Sequence, residues 1–195
     1  MKNSHLLFIY LSIIFFYTSC KNSVPEAQNP PGKNKTTTRL PNNYILRHND
    51  GDINAFIEIP SGTIEKWELN KLNGKIEQEF INKKARIVNY IGYPGNYGLI
   101  PQTLLSKEKG GDGDPLDVLV IGPPEARGSI IKSKIIGVLF LMDQGEQDDK
   151  LIAVSEKSQF YHLNDIAELN KNYSGVSDII KPVSYTHLTL PTNGE

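Results

Sequence analysis

Three aspartates, Asp112, Asp114 and Asp117, fall within the six residues DGDPLD, immediately before the apolar run VLVIG. Two like charges about 4 Å apart repel by roughly 4 kcal/mol at an effective dielectric near 20, so carboxylates crowded at one point need a compensating cation or must spread into water. The spacing excludes an EF-hand loop, which requires carboxylates at positions 1, 3 and 5, glycine at 6 and glutamate at 12. Counted from Asp112, positions 5 and 6 are Leu116 and Asp117. Asp112 and Asp114 share parity on an extended chain and Pro115 redirects Asp117, so the three can converge at a strand start. Ligands that are all oxygen favour magnesium or manganese over zinc.

A second acidic group lies in LFLMDQGEQDDKLIAV, where Asp143, Glu146, Asp148 and Asp149 occupy a turn and Lys150 opens the next apolar run. Taken alone this is an ordinary solvated hairpin turn. Two acidic turns in a β protein can, however, face one another. A third feature is NYIGYPGNYGLIPQT, with Tyr93 and Tyr97 around a Pro94-Gly95 turn and Arg86 one predicted strand upstream. Hydroxyls and a guanidinium fork suit phosphate oxygens, although tyrosines beside Gly and Pro are also common core packing in barrels.

The elements that must position these residues read mainly as strands. NAFIEI alternates and stops at Pro60, KWELN and KIEQEF flank an Asn73-Gly74 turn, and ARIVNYI follows. After the aspartate loop come DVLVIG, SIIKSKIIGVLFLMD with a break at Gly137, and KLIAVS. Closely spaced strands of this kind predict a small barrel. Helix is expected only near the end, in LNDIAELN with Asn164 as N-cap, with a partner segment over residues 176–180.

With 21 basic and 22 acidic residues the chain has a net charge of −1, so no overall field favours a polyanion and any anion site must be built locally. A single cysteine, Cys20, excludes an intrachain disulfide and a thiolate metal cluster. It follows Lys2, His5, an apolar run over residues 6–17, and the small residues Thr18 and Ser19. That run is shorter than the roughly 20 residues a membrane-spanning helix needs, and the layout is that of a signal peptide. Residues 1–19 are therefore expected to be the signal, resembling that of a bacterial lipoprotein with lipidation at Cys20, although Tyr17 stands where leucine is usual. Residues 20–43 then form a tether, low in burial-prone side chains, that spans roughly 25 Å as a flexible coil. A folded domain over 44–183 follows. The closing VSYTHLTLPTNGE keeps no amphipathic period. It resembles translated vector or adaptor sequence, so 184–195 are expected to be a non-native tail and the helical register to break at Pro182.

Together, IEIPSGTIEKWELNK, YIGYPGNYGLIPQT, GDGDPLDVLV and LMDQGEQDDKLIAV resemble the soluble family I inorganic pyrophosphatases over about residues 56–170. The most specific element is DGDPLDVLV, a fit to the family's D-x-D-P-x-D signature. The resemblance implies a mainly β protein with flanking helices (α+β) built on a five-stranded closed OB-like β-barrel, forming a homo-oligomer. It implies a site holding several Mg2+ ions, with Mn2+ as a substitute, and pyrophosphate as substrate. Asp112, Asp117, Asp143 and Asp148 would ligate metal, with Asp117 bridging two ions and Glu58 in the outer acidic shell. Asp114 would be the base for the attacking water. Lys66, Arg86, Tyr97 and Lys150 would grip phosphate, with Tyr93 and Glu68 in support. Pyrophosphate is repelled by a carboxylate nest unless divalent cations intervene, so the acidic and basic groups are consistent with one metal-bridged substrate.

The resemblance also implies a C-terminal helix carrying a tyrosine-lysine pair that touches phosphate. No such pair follows LNDIAELN, and Lys181 is followed by Pro182. The four histidines, His5, His48, His162 and His187, share no spacing with the acidic loops. The rival readings are a non-catalytic lipoprotein that binds divalent cations or phosphate, and an OB-type nucleic-acid-binding module using Trp67, against which the near-neutral charge argues. Lipidation has its own test: labelled-lipid incorporation is expected in the full chain and lost in Cys20→Ser, and labelling that survives the substitution removes the anchor.

Overall fold

A computed structural model describes residues 45–187 except Tyr90 and Gln144, with side chains to Lys181. The expected signal peptide, Cys20, the expected tether and residues 188–195 lie outside the described residues. Among the described residues eleven strands form in chain order: β1 (Ile53–Ile59), β2 (Trp67–Asn70), β3 (Lys75–Gln78), β4 (Phe80–Ile81), β5 (Lys84–Ala85), β6 (Asn96–Leu99), β7 (Asp117–Ile121), β8 (Ile130–Leu139), β9 (Met142–Asp143), β10 (Glu146–Gln147) and β11 (Lys150–Ser155). A 3₁₀ turn covers Lys107–Lys109, and two helices follow, α1 (Ile166–Asn172) and α2 (Val176–His187).

Five strands close into a barrel in the order β1-β6-β7-β11-β8, as expected from sequence. Closure removes the open strand edges that an exposed sheet would present. All pairings in the barrel are antiparallel except β7 with β11, which run parallel with Asp117 opposite Lys150. Successive strand side chains point to opposite faces, and the buried residues divide accordingly. Ile53, Ala55 and Ile57 of β1, Val118 and Val120 of β7, and Ala153 of β11 belong to a core made by strands and their flanks. Leu119 and Ile121 of β7, with Ile152 and Val154 of β11, face a second core shared with Leu163, Leu169 and Ile180 around the helices.

Two irregularities shape the barrel. Between β1 and β6, Ile57 pairs with Gly98 and Ile59 with Tyr97, so Glu58 is the extra residue of a bulge. Between β11 and β8, Ile152 pairs with Gly137 and Ala153 with Ile135, so the break expected at Gly137 is a bulge within one continuous strand.

Other expectations change in detail. ARIVNYI is not a strand along its length: Lys84–Ala85 pairs with β4 across a turn where Asn82 and Lys83 have positive φ, and beyond it Ile87 makes a single bridge to Glu65. Ile87 and Ile91 are exposed while Val88 between them is buried, so the segment has no continuous buried face to hold a strand. The run after Pro94-Gly95 is itself barrel strand β6. The cap of α1 is Asp165, whose carboxylate accepts the Glu168 N–H at 2.7 Å, while the Asn164 N–H donates to the Glu168 side chain at 2.9 Å. One residue later in the chain, Asp165 reaches the orphan N–H that Asn164 cannot. Helix α2 continues through Pro182 to His187. The fixed proline φ is helical, and what is lost is one backbone hydrogen bond rather than the helix.

Glycine at 98 is dictated by close approach. A Cβ there would run into the carbonyl of Phe56 and the Cα of Ile57, backbone atoms that cannot swing aside. Gly98→Ala is expected to cost at least about 3 kcal/mol, the upper end of overpacking penalties, read as a lower urea midpoint or loss of soluble protein; an unchanged midpoint refutes it.

Candidate active site

The parallel pairing of β7 and β11 places Asp117 and Lys150, each the first residue of its strand, side by side. The Lys150 ammonium, almost fully buried, donates to Asp117 Oδ2 and to Asp148 Oδ1, both at 2.5 Å. Burial by itself depresses the lysine, but the Asp117 and Asp148 carboxylates reverse this and hold it above its ordinary pKa, so it stays charged. Asp148 is pushed up by burial against the opposing pull of Lys150. On β6, Leu99 pairs with Asp117 and Tyr97 with Leu119, which puts Tyr97 on the same face as Asp117. Its hydroxyl donates to Asp117 Oδ2 at 2.6 Å. Burial, reinforced by Asp117, holds the Tyr97 phenol well above its ordinary value, so it remains a donor.

The aspartate loop is folded by its own side chain and by a neighbour. Asp112 Oδ1 accepts the Asp114 N–H at 2.8 Å, and the Asp114 carbonyl accepts from Leu105 N at 2.7 Å. The second acidic turn is stitched to this loop: Gln147 N donates to the Gly110 carbonyl at 2.7 Å, beside a parallel bridge between Gly111 and Gln147. The two turns therefore do face each other. Within the second turn Asp149 accepts from Leu141 N at 3.1 Å and from the Gln147 side chain, so it organises the turn and leaves Asp143 and Asp148 to the cleft.

The opposite wall comes from the β1 bulge and the β2–β3 hairpin. Glu58 is buried and accepts the Leu69 N–H at 2.6 Å; burial pushes its carboxyl up to about 8. Lys66 and Glu68 flank Trp67 and pair at 3.1 Å, and the Lys66 ammonium lies 5.3 Å from the Tyr97 ring centroid. Arg86 Nη1 donates to both Glu79 oxygens at 2.8 and 2.9 Å. Tyr93 stands behind this wall, buried against Tyr97 with ring centroids 5.6 Å apart, and burial raises its phenol.

One cleft of about 220 Å³ collects Glu58, Lys66, Glu68, Arg86, Tyr97, Asp112, Asp114, Asp117, Asp143, Asp148 and Lys150, the residues expected from sequence with the exception of Tyr93. It also contains Lys71, which sequence reasoning missed and which pairs with Asp114 from 43 residues away. Its position just after Asn70, at the tip of a hairpin flanking the site, was the available signal. Glu79, the partner of Arg86, was also missed. Seven carboxyl groups against four basic side chains leave three negative charges uncompensated when Glu58 is ionised and two when it is protonated. Among the described residues no three carboxylates already converge as a metal-binding group, and Lys150 and Lys71 pair with the aspartates. The donor set of carboxylate oxygens with residual negative charge fits a hard divalent cation.

A barrel thus carries, at the start of its parallel strand pair, one cleft in which carboxylate oxygens and ammonium groups stand together. The chain belongs to the inorganic pyrophosphatase family, whose model matches residues 55–180. It is 42% identical over 118 residues to soluble inorganic pyrophosphatase 4 of Arabidopsis thaliana and 39% identical over 119 residues to the soluble inorganic pyrophosphatase of Zea mays. Each match covers 60% of this chain and 50% or 51% of the relative, so the chain spans about half the length of the curated relatives it matches. The structure of type I inorganic pyrophosphatase from Toxoplasma gondii superposes with a TM-score of 0.69 at 29% identity, covering 77% of this chain and 72% of that one.

Glu58 supplies a pH test. Folded, its carboxyl stays protonated up to about pH 8; unfolded, it ionises near its ordinary 4.5. The contribution is full below about pH 4.5 and is lost as pH rises through about 8, with a slope of up to about 1.4 kcal/mol per pH unit between. In chelator-treated protein, Glu58→Gln is expected to flatten this decline in Tm, since the amide keeps an acceptor for Leu69. Parallel wild-type and variant curves refute the assignment.

Proposed function

We propose that this chain is a divalent-cation-dependent inorganic pyrophosphatase that hydrolyses pyrophosphate to two phosphates, with Mg2+ as the working ion. The observation that carries the reading is the Lys150 clamp on Asp117 and Asp148, set beside the D-x-D-P-x-D loop and the Tyr97 hydroxyl in one cleft.

The residues divide by chemistry. Asp112, Asp117, Asp143 and Asp148 would hold the cations, with Glu58 behind them. Bound there, divalent ions supply Lewis-acid polarisation of phosphoryl oxygens and acidify water. Lys66, Arg86 and Lys150 neutralise charge on the two phosphoryl groups and orient them. Arg86 is held at the cleft by Glu79, which limits the rotamer freedom it must surrender on binding. Asp114, half-exposed at the rim, would take the proton of the attacking water. Tyr97 keeps its proton and donates to Asp117, fixing that carboxylate's orientation.

The same reading includes export as a lipoprotein anchored at Cys20, supported by the layout of residues 2–20. It also includes a homo-oligomer, supported by the exposed Phe80, Ile81 and Ile87.

Phosphate release from pyrophosphate is the test. The full chain is expected to turn over with Mg2+ and to stop on chelation, and Asp117→Asn to lose at least about 100-fold in kcat/KM, the scale of losing one charge-stabilising contact. Absence of Mg2+-dependent release, or full activity in Asp117→Asn, sinks the reading.

A further inference from the structure

Glu58 is clasped from two sides. Its side chain accepts the Leu69 N–H of β2, and its backbone carbonyl accepts Arg127 Nε at 3.0 Å. The turn carrying Arg127 is itself tied to β1: Gly128 N donates to the Ile57 carbonyl at 2.6 Å and Ile57 N to the Ser129 carbonyl at 2.9 Å. From this base the Arg127 guanidinium lies over the Trp67 ring, 4.0 Å from its centroid. Half-buried cation–aromatic stacking of this kind has a preferred geometry that a flexible ammonium does not reproduce.

Trp67 occupies the strand position between Lys66 and Glu68, and adjacent strand residues point to opposite faces. With Trp67 turned to Arg127 and the core, Lys66 and Glu68 face the cleft. Among the described residues Arg127 makes no ion pair. Its contacts are a carbonyl and a ring, both directly behind cleft-lining side chains.

We infer that Arg127 is a positioning residue that locks the Glu58 bulge of β1 to the Lys66–Glu68 strand, so that filling the cleft is felt at Trp67. The inference deepens the hydrolase reading and rests on it for its kinetic arm only. Arg127 touches neither substrate nor reacting atoms. It acts by setting where the Lys66 ammonium stands, a placement that affects phosphate binding more than the chemical step.

Trp67 is the single tryptophan of the chain, so its fluorescence reports this contact directly. In the full wild-type chain, Mg2+ with inorganic phosphate is expected to change Trp67 emission without any turnover. In Arg127→Met, which keeps the stem but not the guanidinium, that response is expected to disappear. KM for pyrophosphate with Mg2+ is expected to rise at least tenfold while kcat stays within about threefold. Arg127→Lys, which retains a donor for the Glu58 carbonyl, should recover part of the KM and less of the emission response, and it carries the test if the methionine variant does not fold. Unchanged KM with a lowered Tm would make Arg127 merely structural and overturn the inference, as would a wild-type emission blind to Mg2+ and phosphate. A wild-type chain that responds in emission but releases no phosphate upholds the coupling and overturns only the hydrolase reading.

Discussion

The buried ammonium of Lys150, held between Asp117 and Asp148, is the contact around which the cleft is arranged. Removing one partner of a buried ion pair costs about 3–5 kcal/mol because the remaining charge is left desolvated, so the three groups stand together. Their meeting depends on the one parallel pairing in the barrel, which sets the first residues of β7 and β11 opposite each other. Barrel closure, the fixed register and the two packed cores all serve to keep those strand starts adjacent. The aspartate loop and the second acidic turn then have little choice but to converge, stitched through Gly110, Gly111 and Gln147.

Charge balance ties this framework to chemistry. The lysines relieve part of the repulsion among the carboxylates and leave a deficit of two or three charges, depending on Glu58. A cleft in that state attracts divalent cations and repels a bare polyanion. A buried acid with its carboxyl pushed up to about 8 sits next to an aspartate held by lysine and tyrosine. Burial thus sets the Glu58 carboxyl apart within a cleft that it shares with the lysine-held Asp117.

Family membership accords with this arrangement, and the barrel and its flanking helices are shared with solved inorganic pyrophosphatases. Two further contacts lie at the margins of the site. Lys71 reaches Asp114 from the hairpin tip, and Arg127 braces Trp67 behind Lys66. Both join segments far apart in sequence, and both bear on how the cleft's two walls are held relative to one another.

Much of the site was legible from residue type and spacing. Asp112, Asp114, Asp117, Asp143, Asp148 and Lys150 sit at the ends of runs whose β-branched composition and period of two are local properties of the chain. Local signals had less power where competing partners lay elsewhere: the ARIVNYI segment had strand-like residues but, among the described ones, buried only Val88, and Asp165 rather than Asn164 met the orphan N–H of α1. The sequence by itself determined the strand-rich barrel character, the acidic loops and the kind of cation they suit. Only the tertiary structure decided that Lys150 lies between two carboxylates, that Lys71 meets Asp114, that Tyr93 stands behind the cleft and that Arg127 lies on Trp67. Charge compensation and stacking depend on separations in space, and for residues tens of positions apart those separations are set by strand register and barrel closure rather than by any neighbour in the chain.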